Sequence, residues 1–230
     1  MLARQRALQY LNPSAGTWDW VSGSSTAGAF GVYGTQGVAS ASNMPGGRYA
    51  ATGWPDSAGN LWLFGGAGNT STNVGYLNDL WKYNIVAGTW EWVSGINGTQ
   101  SYGVYGTQGV ASSSNSPGAR IGASAAVDSS GSLWLLGGFG SSSSDQGYLN
   151  DVWKLNPTAG TWEWVGGSNT SGARGVYGTR GVASPNNVLG GRLAAVTWSD
   201  SSGNLWLFGG NGLDSSGSGG LLNDLWEYTP

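Results

Sequence analysis

The chain of 230 residues repeats itself at an interval of 72. GVYGTQGVAS at 31–40 returns unchanged at 103–112 and as GVYGTRGVAS at 175–184. GTWDW at 16–20 becomes GTWEW at 88–92 and at 160–164. LWLFGG at 61–66 becomes LWLLGG at 133–138 and LWLFGG at 205–210. YLNDLWKY at 76–83 and YLNDVWKL at 148–155 keep the interval, whereas LLNDLWEY at 221–228 arrives one residue late, so the loop before it carries an insertion. A fixed period of this length means one supersecondary unit built several times.

Read from Arg48, one unit gives four short strands, a to d. RYAATGW is strand a. DSAGN at 56–60, with DSSGS and DSSGN in the other copies, is a tight turn: the Asp hydrogen-bonds the backbone ahead of it and the Gly takes a positive φ. LWLF is apolar at every position, as suits a strand covered on both faces, and the Gly pair is expected to end it. YLNDLWKY is strand c and TWEWV strand d, with side chains alternating between faces. No segment shows a helical period with caps. The expectation is an all-β chain of repeated four-stranded antiparallel sheets.

The Gly-Gly after strand b, the Asn-Asp-Leu-Trp-x-Tyr of strand c and the Gly-Thr-Trp of strand d resemble a kelch repeat. More generally they resemble the propeller domain of the galactose oxidase group. The resemblance covers about Thr17 to Tyr228 and implies β-propeller blades. Kelch repeats run about 50 residues; the surplus here lies between strands d and a and contains the decapeptide. The expected domains are an N-terminal extension at 1–15 and a kelch-like propeller at 16–230.

Three blades are too few, since propellers typically have about 4–8. The order of strands is d, abcd, abcd, abc, and YLNP at 10–13 matches KLNP at 154–157, so the phase is cut near strand c. A homodimer would close a six-bladed ring, with TWDWV at 17–21 of each chain completing the last blade of the other. The alternative is a piece of a longer parent, natural or engineered.

Alternate connections of a meander share one end, so the long b–c and d–a loops lie on one face, where binding usually sits. The b–c loops AGNTSTNVG, FGSSSSDQG and NGLDSSGSGG differ and read as flexible polar loops. The d–a decapeptide is nearly constant. Tyr33, Tyr105 and Tyr177, with Gln36, Gln108 and Arg180 three residues on, would either anchor the loop or line a rim for sugars or peptide backbones. The Val residues flanking each Tyr favour packing, and the Gln-to-Arg change marks an exposed position. Arg48, Arg120 and Arg192 begin strand a. They would either clamp an acidic peptide, as the resemblance implies for some kelch-like propellers, or pair with Asp79, Asp151 and Asp224. Both signs recur once per unit in a chain with 9% charged residues, which favours ion pairs. Most of the 14 Trp residues fall on strands and read as core.

The chain has no His and no Cys. That removes thiol and imidazole chemistry and the ligands that copper chemistry of the galactose oxidase type requires. Asp145 and Asp214 are unique to their copies but lie in loops without a partner, so no catalytic residue, metal or cofactor is expected. A net charge of −3 without a basic patch argues against nucleic acid and anionic membrane. MLARQRALQY is too short in its apolar part for a signal peptide, which leaves location open, with a secreted or bacterial cell-surface origin compatible. The expected function is a non-enzymatic binding or assembly module, a homodimer with a peptide or glycan as possible ligand. The alternatives are a lectin-like ring and a fragment whose only property is self-assembly.

Overall fold

A computed structural model describes residues 16–230. The extension at 1–15, with its YLNP match, lies outside the described residues. All regular structure is antiparallel β, with no helix among the described residues and therefore none long and apolar enough to cross a membrane. Unit 1 contains β1 (Arg48–Tyr49), β2 (Thr52–Pro55), β3 (Leu61–Asn69), β4 (Val74–Asn84) and β5 (Thr89–Ser94). Unit 2 contains β6 (Arg120–Ile121), β7 (Ser124–Val127), β8 (Leu133–Ser141), β9 (Gln146–Asn156) and β10 (Thr161–Gly166). Unit 3 contains β11 (Arg192–Leu193), β12 (Val196–Ser199), β13 (Leu205–Phe208), β14 (Asn211–Leu213), β15 (Gly219–Leu221) and β16 (Leu225–Tyr228).

In unit 1 the lateral order is β1 and β2 on β3, then β4, then β5; unit 2 repeats it. Strand a is thus two pieces. The break falls at Ala50, Gly122 and Ala194, whose φ values are 50°, 59° and 56°. There the backbone turns toward the neighbouring unit: Gly122 N–H donates to Ala50 O at 2.9 Å, and Ala194 N–H to Gly122 O at 2.7 Å.

The expectation that the Gly pair ends strand b is corrected. β3 and β8 run on for nine residues through a register shift at Gly65 and Gly137. Gly65 and Gly66, at φ 62° and 95°, twist the strand without breaking its pairing. The b–c connections are accordingly strand for most of their length, not flexible loops. The turn after β3 is short, and its Thr70 is buried with Thr70 N–H donating to Asn73 O. In unit 3 the same strands are interrupted, into β13–β14 and β15–β16.

The turn aspartates act as the sequence implies. Asp56 Oδ1 accepts from the N–H groups of Ala58 and Asn60, and Asp56 Oδ2 from the Trp62 indole at 2.8 Å. Asp128 and Asp200 hold Trp134 and Trp206 in the same way.

Units pack face to face. Trp54, Phe64 and Leu80 of unit 1 bury against Leu133, Leu135, Trp153 and Trp162 of unit 2. Ala126 and Leu136 of unit 2 bury against Leu205 and Leu207 of unit 3. Trp54 Nε1 crosses the first interface to Trp134 O at 2.9 Å.

A Cβ on Gly137 would meet Leu149 O at 2.7 Å and Arg192 O at 2.8 Å, whereas one on Gly109 would meet nothing within 4 Å. Both have positive φ. Gly109→Ala is expected to cost about 1–2 kcal/mol for the left-handed backbone alone. Gly137→Ala should cost clearly more, because two carbonyls must also move. Denaturant melts of the two variants check the order, and equal losses would contradict this packing.

Candidate functional site

The residues singled out by their 72-residue spacing meet in one cluster per unit. Arg48 forms a fork with Asp79, Nη1 to Oδ1 at 2.7 Å and Nη2 to Oδ2 at 2.9 Å. Asp79 Oδ2 also accepts the Tyr33 hydroxyl at 2.6 Å and the Trp81 indole at 2.7 Å. Arg120, Asp151, Tyr105 and Trp153 repeat the arrangement, as do Arg192, Asp224, Tyr177 and Trp226. Two further Arg120 donors go to Gly118 O at 3.0 Å and Gly137 O at 2.9 Å. Each arginine thereby ties strand a, the kink in strand b and strand c together.

Electrostatics follow from burial. Arg120 is 1% exposed. Burial alone would lower its pKa, but Asp151 beside it outweighs burial and holds it above the usual value. Burial and the Asp79 carboxylate push the Tyr33 phenol well above its usual range; burial and Asp151 do the same to Tyr105. Burial would raise the Asp224 carboxyl, yet hydrogen bonds from Arg192, Trp226 and Tyr177 hold it at about 2.

The guanidinium groups are therefore engaged with Asp, and Tyr33 and Tyr105 point inward. They present no open rim for a ligand in units 1 and 2, because every Asp oxygen and most Arg donors are already bonded. Gln36 and Gln108 are exposed but donate to Gly95 O at 3.4 Å and Val165 O at 3.0 Å. Arg180, at the same position, is exposed and makes no ion pair among the described residues. Asp214 accepts hydrogen bonds inside its own turn, from Ser216, and Asp145 accepts from Ser142 and, at 2.9 Å, from the N–H of Ser171. Among the described residues no group of three or more acidic, His or Cys side chains is placed to hold a metal ion.

The decapeptide runs along the outer edge of strand d. Gly37 N–H donates to Trp92 O at 2.8 Å and Ser40 N–H to Trp90 O at 3.0 Å. The Asn43 amide bridges Val38 O at 2.9 Å and Trp90 O at 3.1 Å. Gly109, Ser112 and Asn115 do the same on β10. The loop thus covers backbone groups that an edge strand would leave open. Packing through the flanking valines is corrected: Val32, Val38, Val104 and Val110 are exposed, and the Tyr with the Asn amide does the anchoring. Asn43, Asn115 and Asn187 were missed as functional residues although they share the 72-residue interval.

Unit 3 shows no strand d among the described residues. β16 pairs with β13 on one side and with nothing on the other among the described residues. Gly181 N–H and Ser184 N–H make none of the strand-d bonds of their counterparts, and the Asn187 amide reaches only Val182 O. Tyr33 and Tyr105 meet Trp92 and Trp164 edge-on at 5.1 and 5.2 Å; Tyr177 has only Trp226 and is exposed. A cavity of about 840 Å³ occupies the place, lined in part by Leu189, Leu207, Trp226 and Tyr228. TWDWV at 17–21, the segment expected to act as strand d, pairs with nothing among the described residues, and Trp18 is 96% exposed.

No family model matches the chain, and no curated protein matches it. Among solved structures it is similar to a fungal alcohol oxidase of the AA5 family, solved in complex with copper, with a TM-score of 0.44 and 16% identity. The match covers 80% of this chain and 28% of that one, so the chain spans little over a quarter of that protein's length.

Asp151→Ala should destabilise by about 3–5 kcal/mol, because it strands a buried guanidinium. Tyr105→Phe should cost about 1.5–3 kcal/mol, the worth of a hydrogen bond to a charged group. Equilibrium unfolding measures both, and a near-neutral Asp151→Ala would contradict the burial of the pair. Stability should also fall in acid. Asp128 and Asp224 lie at about 2, against 3.8 for a free carboxyl. Their contribution is complete above the free value and is lost as pH drops through the folded one. Thermal midpoints recorded from neutral pH down to about 2 should therefore decline at the acid end.

Proposed function

We propose that the chain is a non-enzymatic assembly module, a kelch-like propeller segment that self-associates by blade completion. Two copies close a six-bladed ring. The observation that carries this reading is the unfilled strand position of unit 3, set beside an unpaired TWDWV that matches the TWEWV filling the same position in units 1 and 2. Placed there, Trp20 takes the Trp92 and Trp164 position against Tyr177. The Trp18 and Trp20 carbonyls then receive the Gly181 and Ser184 N–H groups and the Asn187 amide.

The open faces support the same partner. Trp198, Phe208 and Leu225 of unit 3 occupy the positions of Trp54, Phe64 and Leu80. Trp198 is 52% exposed where Trp54 is 3%. Unit 1 leaves open the complementary face: Leu61 is 44% exposed, while its counterparts Leu133 and Leu205 are buried. Unit 3 of one copy against unit 1 of another reproduces the packing already used twice within the chain. Ala194 O and Ala50 N–H stand at the two ends of the backbone thread and would join across that contact. Two such joints complete a two-fold ring.

Light scattering on a gel-filtration column should give about 47 kDa, twice the 23.6 kDa of one chain. Trp20→Ala should weaken the dimer by about thirtyfold or more, as expected for an aromatic anchor in a pocket. It should leave the melting of the separated chain unchanged, since Trp20 is exposed there. A stable 23.6 kDa species at high concentration would sink the proposal.

A further inference from the structure

We infer that the joint between chains carries a like-charged cross-strand pair, Asp19 opposite Glu227, which makes it weaker and more readily reversed than the equivalent strand pairings inside the chain. The inference rests on blade completion by a second copy.

The register fixes the pair. In unit 1, Lys82 of β4 lies opposite Glu91 of β5, Nζ to Oε2 at 2.8 Å. In unit 2, Lys154 of β9 lies opposite Glu163 of β10. Each lysine also sits over an indole, Lys82 5.6 Å from the Trp62 ring and Lys154 5.1 Å from the Trp134 ring. Lys154 further contacts Asp128 at 3.3 Å.

In unit 3 the lysine position is Glu227, opposite Trp206 of β13. The Asp128 position is Asp200, bound to the Trp206 indole. TWDWV brings Asp19 to the position of Glu91 and Glu163. Three carboxylates then meet where the inner units hold a lysine between acids.

The cation at the joint is Arg180, in the place of Gln36 and Gln108. Gln108 reaches the Val165 carbonyl, whose counterpart is Val21, two residues past Asp19. Arg180 thus addresses the far end of the incoming strand, while Glu227 faces its middle. Like charges directly opposite across antiparallel strands are destabilising, and opposite charges are stabilising by a similar amount. The only strand position filled from outside the unit's own chain is the one where that sign is inverted.

A charge-swap cycle on the full chain tests this. Dissociation constants are measured by sedimentation equilibrium at low ionic strength, where surface charges are least screened, for the unaltered chain, Glu227→Lys, Asp19→Lys and the double variant. Each single change turns a repulsion into an attraction at two joints and should tighten association by about tenfold. The double variant sets Lys against Lys and should bind more weakly than either single variant. Singles without effect, or a double variant as tight as either single, would overturn the pairing while leaving blade completion standing. Absence of association in all four forms would sink blade completion, and the pairing with it. Melting curves of the dilute chains show that each variant folds.

Discussion

Each of the carboxylates of Asp79, Asp151 and Asp224 accepts four hydrogen bonds: two from an arginine, one from a tyrosine hydroxyl and one from an indole. The rest of the unit is arranged around this anion. A buried carboxylate is tolerable only when its charge and lone pairs are met. Meeting them fixes strand a through the arginine, the strand-b kink through the carbonyl that the arginine also holds, strand c through the Asp and Trp, and the decapeptide through its tyrosine. Segments distant in sequence are thereby locked by one group that cannot be left half-satisfied. The geometry explains why a chain so poor in charge keeps this pair in every unit.

The decapeptide's constancy follows from the same requirement. Its tyrosine completes the shell of the carboxylate, and its backbone closes the edge of strand d. Within the same connection, the stretches outside these contacts, SSTAGAF at 24–30, INGTQSY at 96–102 and SNTSGAR at 168–174, differ between copies. Units 1, 2 and 3 also place the same residues in different surroundings. Tyr105 is buried and Tyr177 exposed with the same hydroxyl bond, so the bond forms without strand d and burial is what strand d adds.

Strand identities, the Asp-Gly turns and the Arg–Asp partnership were legible from spacing, because a repeat shows which residues recur together even when their contacts are remote. The strand running through Gly65–Gly66 was not. Local propensity reads a glycine pair as a terminator, and only the partner strand, which supplies hydrogen bonds on both sides of the kink, overrides it. The route of the decapeptide was half legible. Tyr33 stood out, but Val32 and Val38 suggested apolar burial where the structure uses Asn43 and main-chain bonds, which leave no hydrophobic pattern. The split of strand a at Ala50 was invisible, since alanine carries no signature of a left-handed backbone.

That split at Ala50, Gly122 and Ala194 gives the molecule a direction. Each link passes from an amide of the later unit to a carbonyl of the earlier one, so among the described residues the thread ends in an unbonded acceptor at Ala194 and begins with an unbonded donor at Ala50. Two like ends have nothing to exchange. In the proposed assembly, growth by addition would proceed in a single sense, and curvature would stop it: a chain of units either returns to its own start or continues as a fibre. The angle between neighbouring units would then decide between a finite particle and an open polymer.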